Sequence, residues 1–456
     1  MFFKPTLSAL AITAMLQPLT PAMAAALDPS RLDQLDQDIQ RATPQLIQLR
    51  HHFHQHPELG NREFETAKRV AQRLRELGLE VQTEVAHTGV VGLLKGGKPG
   101  PVVAIRSELD ALPVTEQTGL PFASTVTAPY SGNDLSQAGK KVGVMHACGH
   151  DAHIAIVLGV AEVLAARKDT LPGTVKFIFQ PAEEGVPLGE TGGARLMIEQ
   201  GVLNAPAPEA IFGLHVGPGA SGSLSVSRQR TTAAADTFVA TVTGEQTHGA
   251  FPWNGIDPIP LAAQIILGWQ TIPSRQVDLV ALPAPVISVG KIDAGVRSNI
   301  IPAEVRLEGT LRTLTEGQRT DVIDRLRRTA SKIAESVGAS ATLQILPGSY
   351  PAGYNNSALV DAVLPELEAT STQPVEIDSG VYAADDFAEY SRKIPGVFFG
   401  LGVTPPGLDP AHTWPNHSPK FLVDDNALPV GVRALSRVTL AYLANNGFNP
   451  AAGVKP

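Results

Sequence analysis

The alternation of two apolar patterns between residues 30 and 220 restricts the fold of this chain more than any other feature. Short apolar runs have the length and composition of buried β-strands; they are residues 102–105, 175–179 and 210–214. Longer segments have the spacing of helices; they are residues 32–49, 63–77 and 154–166. Strands that alternate with helices predict an α/β fold, in which helices cover both faces of a mainly parallel, mixed sheet.

The pattern changes near Thr232, where strands and helices begin to follow a different order. The order becomes strand, helix, strand, strand, helix, strand, at residues 236–242, 259–270, 286–291, 303–312, 316–337 and 341–346. Two helices against an antiparallel sheet in this order predict a ferredoxin-like α+β unit. The first pattern then returns, with a helix at 357–368 and a strand at 397–401. We therefore predict a discontinuous first domain, residues 25–231 and 347–456, interrupted by a second domain at residues 232–346.

Residues 1–24 have the pattern of a signal peptide. Lys4 supplies a positive charge, residues 7–19 are mostly apolar, and Ala22-Met-Ala24 fits a small-x-small cleavage site. The apolar stretch is too short for a spanning helix, although retention as a membrane anchor is the alternative. We expect an exported protein, periplasmic or secreted, without stable membrane insertion after the signal is removed. The net charge of −8 and the lack of a basic tract argue against nucleic acid as a partner.

Cys148 is the only cysteine of the 456 residues, and it lies in a cluster of potential metal ligands. His146, His150, Asp151 and His153 are its neighbours in the sequence. A thiolate among imidazoles and a carboxylate favours zinc and neighbouring transition metals over magnesium or calcium. An exported chain with one cysteine has no internal disulfide, so a bound metal would occupy an otherwise oxidisable thiol. The alternative is that Cys148 is a small buried apolar residue among ordinary histidines.

Further candidate residues follow the three predicted strands. Asp110 follows the first strand, Glu183 and Glu184 follow the second, and His215 closes the third. Functional sites of open α/β sheets lie beyond the carboxyl ends of the strands, so we expect these side chains to meet. Neighbouring residues of an extended chain face opposite ways. One glutamate can therefore bind a metal while the other acts as a general base on water.

Two other histidine-containing segments need interpretation. His417 lies in a short loop, and His412, five residues earlier, is a rival for the same role. The histidine-rich residues 50–56 resemble a metal-binding tract, but they lie at a predicted helix end before Pro57. We interpret that segment, together with the following residues 61–65, as structural.

Eight motifs occur in an order that resembles a known family. They are Arg50-His-x-x-His54, Pro57-Glu-Leu59, Glu108-Leu-Asp-Ala-Leu-Pro113, Met145-His-Ala-Cys-Gly-His-Asp-Ala-His153, Gln180-Pro-Ala-Glu-Glu-Gly185, Thr247-His-Gly-Ala-Phe-Pro252, Asn299-Ile-Ile-Pro302 and His417-Ser-Pro-Lys-Phe421. The chain resembles the amidohydrolase branch of the aminoacylase and carboxypeptidase metallopeptidases, which includes hippurate hydrolases and plant auxin-conjugate hydrolases. The resemblance covers almost the whole chain after the predicted signal peptide. It implies a zinc-peptidase-like catalytic domain, interrupted by a lid domain that also forms a homodimer.

The resemblance also implies roles for residues of the catalytic domain. The residues that match the family's metal ligands are Cys148, His150, Glu184, His215 and His417. Glu183 matches the general base, and Asp110 matches a carboxylate that orients a ligating imidazole. The implied cofactor is a pair of divalent metal ions, zinc first, with manganese, cobalt or nickel as alternatives.

Residues of the lid are implied in substrate binding. His248 matches a histidine that reaches across the dimer to the substrate carbonyl. Asn299 and Arg312 match residues that look suited to hold the free carboxylate of a substrate. Phe251 and Trp253 depart from the family pattern and add aromatic surface to the lid.

Two further departures lie in motifs near the predicted site. The family usually has Arg-Ala-Asp-Met-Asp where this chain has Arg106-Ser-Glu-Leu-Asp110, and Asp385-Asp386-Phe387 replaces Glu-Asp-Phe. Because Asp110 is retained, we expect these changes to affect the substrate more than the chemistry.

The sequence as a whole predicts an exported, metal-dependent amidohydrolase. The expected substrates are N-acyl amino acids or short peptides with a free carboxylate, and an apolar or aromatic acyl group is favoured. One alternative is a carboxypeptidase or dipeptidase. Another is a non-catalytic periplasmic peptide-binding protein, although such a protein should lose its base before its ligands, and Glu183 is present.

Overall fold

The computed structural model describes residues 27–130, 132, 138–377 and 383–448. The predicted signal peptide, residues 1–24, lies outside these ranges. Within them, no helix combines the length and the apolar composition needed to cross a membrane.

The described residues form sixteen strands and nine α-helices. The strands are β1 (Glu80–Val85), β2 (Gly89–Lys95), β3 (Lys98–Glu108), β4 (Thr127–Pro129), β5 (Lys141–Gly143), β6 (Pro172–Gln180), β7 (Ala210–Ala220), β8 (Leu224–Val226), β9 (Ala234–Thr243), β10 (Thr247–His248), β11 (Val286–Ala294), β12 (Ile300–Ile301), β13 (Glu304–Thr313), β14 (Ser340–Ile345), β15 (Glu376–Ile377) and β16 (Gly396–Thr404). The helices are α1 (Pro29–Gln55), α2 (Phe64–Glu76), α3 (His150–Ala165), α4 (Gly193–Glu199), α5 (Pro258–Thr271), α6 (Glu316–Glu335), α7 (Ser357–Glu368), α8 (Phe387–Ser391) and α9 (Leu428–Ala444).

The larger sheet has eight strands in the order β1-β2-β6-β3-β7-β16-β8-β15. Strands β6, β3, β7 and β16 are parallel to one another, and so are β8 and β15. Strands β1, β2 and β6 pair antiparallel at one edge, and β16 pairs antiparallel with β8 near the other. The sheet is therefore mixed with a parallel centre, and the prediction of an α/β fold is confirmed.

Helices cover both faces of this sheet because the central strands are apolar on both sides. On β6, Phe177 and Phe179 belong to the core shared with α1, α3 and α9, whereas Ile178 belongs to the core shared with α4 and α8. This alternation is the two-residue period of a strand. The two cores therefore lie on opposite faces of the sheet.

Helix α3 is buried along almost its whole length, in agreement with its nearly uniform apolar sequence. It packs against α1 and α9. A side chain at Gly159 would come within 2.7 Å of Leu46 in α1 and 2.8 Å of Val432 in α9. Glycine at this position therefore allows the three helices to approach closely.

The smaller sheet has four antiparallel strands in the order β11-β13-β9-β14. Helices α5 and α6 pack against one of its faces and share a separate hydrophobic core with it. Buried and exposed residues alternate along β9 and β13, as expected for a sheet with one covered face. The chain order β9-α5-β11-β13-α6-β14 confirms the prediction of a ferredoxin-like unit.

Two segments connect this unit with the larger sheet, and they lie side by side. Ala235 and Tyr350 exchange two backbone hydrogen bonds of 3.0 Å. The backbone N–H of Thr231 donates to the carbonyl of Gly353 at 3.0 Å. The limits of the second domain, residues 232 and 346, stay a prediction; they lie next to Thr231 and four residues before Tyr350 in the sequence.

Candidate metal centre

The candidate site lies at the carboxyl ends of β3 and β6, beside the N-terminus of α3. These parallel strands end side by side, so Asp110 and Glu183 emerge at the same edge of the sheet. The prediction that His215 closes its strand is wrong, because β7 continues to Ala220 and keeps pairing with β16. His215 therefore contributes to the site from within a strand.

A glycine turn precedes α3 and positions the residues on either side of it. Gly149 has a φ angle of +91°, a conformation that favours glycine, and a side chain there would come within 2.3 Å of Val216. Cys148 lies immediately before this turn, and His150 is the first residue of α3. Both side chains are buried.

The predicted ligands form two groups that share Cys148. The Sγ atom of Cys148 lies 3.4 Å from Nε2 of His215, and these residues form the first group with His150. The Nε2 atom of His417 lies 3.2 Å from Oε1 of Glu184, and these residues form the second group with Cys148. Within each group the potential ligand atoms all lie within 4.8 Å of one another. Cys148 is therefore common to both candidate ligand groups.

The surroundings of the Nε2 atom of His150 fit metal coordination better than hydrogen bonding. Nε2 of His150 is buried and has no hydrogen-bond partner among the described residues. Carboxylate oxygens of Glu183 and Glu184 lie 3.8 and 4.0 Å from it, too far for a hydrogen bond. Tetrahedral ligands at about 2.0–2.3 Å from a zinc ion would be about 3.3–3.8 Å apart. The distances between ligand atoms in the cluster, from 3.2 to 4.0 Å, lie close to that spacing.

Hydrogen bonds orient two of the candidate imidazoles. Nδ1 of His150 donates to the main-chain oxygen of Asp110 at 2.8 Å, and Nδ1 of His215 donates to the carbonyl of Val216 at 2.8 Å. The carbonyl oxygens can only accept, so the Nε2 atom of each ring keeps a lone pair for a metal.

Two other members of the sequence cluster are engaged elsewhere. Nε2 of His153 accepts from the N–H of Val216 at 2.9 Å, and its Nδ1 donates to Glu108 at 2.8 Å. Asp151 accepts from Arg50 at 3.0 Å and from His54 at 2.9 Å. His153 therefore has no nitrogen left for a metal. The 50–56 segment supports the first turn of α3 through Asp151.

The loop that carries His417 is attached to the Cys148 segment. The side-chain amide of Asn416 donates to the carbonyls of Cys148 and Val216, both at 3.0 Å. The N–H of His417 donates to the carbonyl of Ala147 at 2.8 Å. Asn416 was not predicted as a site residue, and its contacts 268 and 200 positions away leave no local signal in the sequence.

The structure separates the two rival histidines of this loop. His417 lies beside Glu184, as described above. His412 is exposed, and its Nδ1 pairs with Asp409 at 2.6 Å. Only the first of the two therefore contacts the candidate centre.

The adjacent carboxyl groups of Glu183 and Glu184 lie in different electrostatic environments. Burial and the nearby carboxylate of Asp385 raise the pKa of Glu183 well above its usual range. Burial alone would also raise the pKa of Glu184, but a hydrogen bond from His417 and the charge of His150 lower it to about 2. Glu183 is therefore suited to accept a proton, and Glu184 to remain an anionic ligand.

The charges around Cys148 favour a cation at the centre. Burial and the carboxylates of Glu184 and Glu183 raise the pKa of the Cys148 thiol well above its usual range. Burial alone would lower the pKa of His150, but Asp110 and Glu108 raise it to about 10. The thiol therefore needs a cation in order to ionise, and the same carboxylates attract one.

A buried arginine organises the acidic groups behind Glu183. Arg106 donates to Gln180 at 3.0 Å and to Asp386 at 2.7 Å, and it also binds Glu108 and Asp385. One guanidinium thus balances three carboxylates, as its five donors allow. Arg106 begins the segment Arg106-Ser-Glu-Leu-Asp110, but its partners Gln180, Asp385 and Asp386 come from distant parts of the chain.

Glu63 is a further buried acid, in the segment 61–65 that we interpret from the sequence as structural. Its carboxylate accepts from the N–H of Ala182 at 2.9 Å and from the hydroxyl of Thr88 at 2.6 Å. Burial and the charge of Asp110 raise its pKa to about 8. Ala182, whose φ is +51°, immediately precedes Glu183, so Glu63 supports the strained start of the glutamate loop.

The candidate residues of the smaller unit are not in contact with the metal-ligand cluster. His248 and Asn299 are exposed beside the short β10–β12 pair, and the N–H of Gly249 donates to the carbonyl of Asn299 at 2.9 Å. Arg312 is partly buried on β13. In the described part of the chain, no hydrogen bond or ion pair joins these three residues to the ligand groups.

Comparison with known proteins gives matches that span this site. A family model described as Peptidase family M20/M25/M40 matches residues 104–441. Thermostable carboxypeptidase 1 of Saccharolobus solfataricus is 38% identical over 417 residues, which cover 91% of this chain and 99% of that protein. N-acetylcysteine deacetylase of Bacillus subtilis is 37% identical over 400 residues, which cover 87% of this chain and 97% of that protein.

A solved structure is also similar over nearly its whole length. The Bacillus subtilis YxeP protein, described as a dinuclear metal binding peptidase from the M20 family, superposes with a TM-score of 0.73. Its sequence is 34% identical, and the match covers 89% of this chain and 99% of that chain.

Proposed function

The chain belongs to the peptidase family M20/M25/M40 and is a metal-dependent hydrolase of amide bonds, and from this premise we propose which residues act and on which substrates. The matched region, residues 104–441, contains every candidate ligand and Glu183. The observation that carries the proposal is the pair of ligand groups that share Cys148 beside the buried carboxyl of Glu183.

Two divalent ions would be held by the two ligand groups. We infer that Cys148, His150 and His215 hold one ion and that Cys148, Glu184 and His417 hold the other. When bound, the ions act as Lewis acids that lower the pKa of a water molecule and polarise the substrate carbonyl. Sulfur and nitrogen donors favour zinc, and manganese, cobalt or nickel are alternatives.

Glu183 serves as the general base and then as the acid. Its carboxylate takes a proton from the attacking water and passes it to the leaving amine. The raised pKa of Glu183 supports this role, because a carboxylate of higher pKa is a stronger base. Asp110 keeps His150 oriented and also accepts from the N–H of Glu184 at 2.8 Å.

We infer that His248 stabilises the oxyanion formed at the substrate carbonyl. Its Nδ1 accepts from the N–H of Ala250 at 3.0 Å, so the neutral ring carries its proton on Nε2. A fixed N–H that points from an exposed loop is suited to donate to a developing negative charge. Because His248 does not contact the ligand groups of its own chain, we propose that it acts in the site of a second copy.

A homodimer is therefore part of the proposal. Strand β11 lies at the edge of the four-stranded sheet, where its backbone groups are available for pairing with a second copy. Val286 and Ile292 on this strand and Leu267 on α5 are exposed apolar residues. An edge strand paired with its own copy gives the self-complementary contact that two-fold symmetry requires.

The proposed substrates are N-acyl amino acids or short peptides with a free carboxylate. Arg312 offers a planar guanidinium for that carboxylate, and Asn299 offers an amide. Phe251 and Trp253 are exposed in the loop that follows His248, and their rings lie 5.7 Å apart. This aromatic surface supports a preference for apolar or aromatic acyl groups.

Two relatives make a carboxypeptidase the second candidate function. The carboxypeptidase and the deacetylase described above are almost equally similar to this chain, at 38% and 37% identity. Identity alone therefore does not separate amidohydrolase from peptidase activity. We also propose export to the periplasm or medium on the basis of residues 1–24, which cell fractionation would test.

A substrate panel tests the proposed function. N-benzoylglycine, N-acetyl amino acids and dipeptides would be compared, with and without a chelator. We expect acyl amino acids to be cleaved fastest, with activity lost on chelation and recovered with a divalent metal. Faster cleavage of dipeptides would favour the carboxypeptidase. Tight peptide binding without turnover in metal-loaded protein would favour a non-catalytic binding protein.

A further inference from the structure

We propose that Tyr350 is a positioning residue that links Arg312, the proposed carboxylate-binding residue of the smaller sheet, to the general base Glu183. This inference rests on the proposed function. Tyr350 lies in the segment that leads from β14 back to the larger sheet. Its hydroxyl donates a hydrogen bond to the main-chain oxygen of Glu183. Neither the motifs nor the metal-ligand groups include this tyrosine.

The peptide bond between Glu183 and Glu184 is held at both of its polar ends. Tyr350 binds the carbonyl of this peptide, and Asp110 accepts from its N–H at 2.8 Å. The carbonyl carbon belongs to the base and the nitrogen belongs to the ligand. A rotation of this planar unit would therefore move both carboxyl groups at once.

The two ends of this peptide are held by different parts of the fold. Asp110 follows β3 in the larger sheet, and the adjoining support for Ala182 comes from Glu63, immediately before α2. Tyr350 instead belongs to the connection with the smaller unit. The position of the segment that carries Tyr350, relative to the larger sheet, therefore determines whether the hydrogen bond from Tyr350 to Glu183 can form.

The strand register places Tyr350 close to Arg312, the proposed carboxylate-binding residue. Arg312 on β13 is the direct partner of Ala235 on β9, and Ala235 is the direct partner of Tyr350. Directly opposed residues of antiparallel strands have their side chains on the same face. Arg312 and Tyr350 thus flank the small side chain of Ala235 on one face.

This arrangement gives a contiguous route of four residues, Arg312, Ala235, Tyr350 and Glu183. A carboxylate held by Arg312 would fix the end of β13 and, through β9, the connection that carries Tyr350. The hydroxyl of Tyr350 then holds the peptide of Glu183 in the orientation needed for proton transfer. Substrate binding at one unit is coupled in this way to the base in the other.

The first test compares Tyr350→Phe with Tyr354→Phe. Both changes remove one hydroxyl, but that of Tyr354 donates to the carbonyl of Leu314 at 3.1 Å rather than to the glutamate loop. We expect Tyr350→Phe to lower kcat about tenfold to a hundredfold with KM changed less than about threefold, as for loss of a hydrogen bond to a buried carbonyl. Tyr354→Phe should keep the wild-type kcat. Equal kcat values for Tyr350→Phe and wild type would overturn the proposal.

The second test measures the coupling with Arg312. A double-mutant cycle compares Arg312→Ala, Tyr350→Phe and the double variant. The fold decrease in kcat of the double variant should be smaller than the product of the fold decreases of the two single variants. If the fold decreases multiply, Tyr350 supports the loop of Glu183 and Glu184 independently of Arg312. That result would overturn the coupling.

A spectroscopic measurement separates this inference from the proposed function. The absorption bands of Co²⁺-substituted protein report the geometry of the ligand set, which includes Glu184. We expect Tyr350→Phe to shift these bands and Tyr354→Phe to leave them unchanged, whether or not the protein hydrolyses the panel. Inactive wild-type protein would contradict the proposed function alone. Identical cobalt spectra for wild type and Tyr350→Phe would contradict the positioning role.

Discussion

Glu183 and Glu184 are neighbours in the chain, yet the pKa values of their carboxyl groups are shifted in opposite directions. Burial and Asp385 raise the pKa of Glu183, whereas His417 and His150 outweigh the effect of burial on Glu184 and lower its pKa to about 2. Two carboxyl groups with separated pKa values are what acid–base catalysis beside a metal requires. The separation comes from partners in distant segments of the chain, not from the Glu-Glu pair itself.

His54 gives a prediction about the pH dependence of stability. Burial alone would lower the pKa of His54, but its ion pair with Asp151 and its hydrogen bond with Glu116 raise it to about 9. Below about pH 6.5 the imidazole is protonated in both the folded and the unfolded chain, so the contribution is complete. Between pH 6.5 and 9 only the folded state keeps the proton. The free energy of unfolding should therefore decrease by about 3 kcal/mol as pH rises through this range.

The measurement is urea unfolding of wild type and His54→Gln at several pH values between 6 and 9.5. Effects common to both proteins, including metal binding, cancel in the difference between them. We expect the stabilising difference to be large at pH 6 and to disappear near pH 9.5. A difference that is constant over the whole range would contradict the ion-pair account.

At the scale of elements, a long loop brings the last candidate ligand to the site. The loop between β16 and α9 carries both Asn416 and His417. Its attachment depends on the side-chain amide of Asn416, which binds the carbonyls of Cys148 and Val216. His417 itself has a positive φ of +71°, so its backbone conformation needs support from such contacts.

Asn416→Ala should therefore weaken metal binding without preventing folding. We expect the affinity for the second ion to fall about 10- to 100-fold, as is typical when a group that orients ligands is removed. Asn426→Ala is the matched control, since its amide binds Asp424 farther along the same loop at 2.9 Å. Metal titration followed by calorimetry would compare the two variants. Equal affinities would show that the loop is held in other ways.

Local sequence signals predicted the elements better than the contacts between them. Helix α7 begins and ends where the sequence predicted, and its start has a strong cap in which Asn356 accepts from the N–H of Leu359 at 2.9 Å. Strand β7 is longer than predicted because its extension depends on β16, about 185 residues away. Strands β1 and β2 and helix α9 were not predicted, although α9 has an apolar sequence on most of its surface.

The same limit applies to the candidate site. Cys148 and the glutamate pair stood out because ligand types lie together in short motifs. Tyr350 acts through one hydrogen bond to a partner 167 positions away, and Asn416 acts through two, to partners 268 and 200 positions away. Neither residue has an unusual local pattern. Such residues become visible only when the strand pairing is known.

At the scale of the whole molecule, the ligands and the substrate-binding candidates lie on different units. The ligand groups belong to the larger sheet and its loops, whereas His248, Asn299 and Arg312 belong to the ferredoxin-like unit. Among the described residues, no hydrogen bond or ion pair joins His248 to the ligand groups of the same chain. The proposal of a shared site in a dimer follows from this separation.

Mixing two inactive variants tests the shared site. A Glu183→Gln chain keeps His248, and a His248→Ala chain keeps Glu183. If each site uses His248 of the partner subunit, a mixed dimer has one complete site. Random reassociation should then restore about a quarter of the wild-type activity, because half of the dimers are mixed and each has one of two sites intact.

Reassociation would be carried out by mild denaturation and refolding of a one-to-one mixture, with each variant treated alone as a control. Analytical ultracentrifugation would establish the dimer in the same samples. Recovery no greater than the sum of the separately treated variants would indicate that each chain completes its own site.

The most direct test of the account measures metal content and turnover in the same preparations of wild type, Glu183→Gln and Cys148→Ala. We predict two ions per chain in wild type, unchanged metal content with a rate about 10²- to 10⁴-fold lower in Glu183→Gln, and loss of both metal and activity in Cys148→Ala. A wild-type rate for Glu183→Gln on every cleaved substrate, or full activity of metal-free wild type, would contradict the central claim that a thiolate-containing metal centre works with Glu183 as its base.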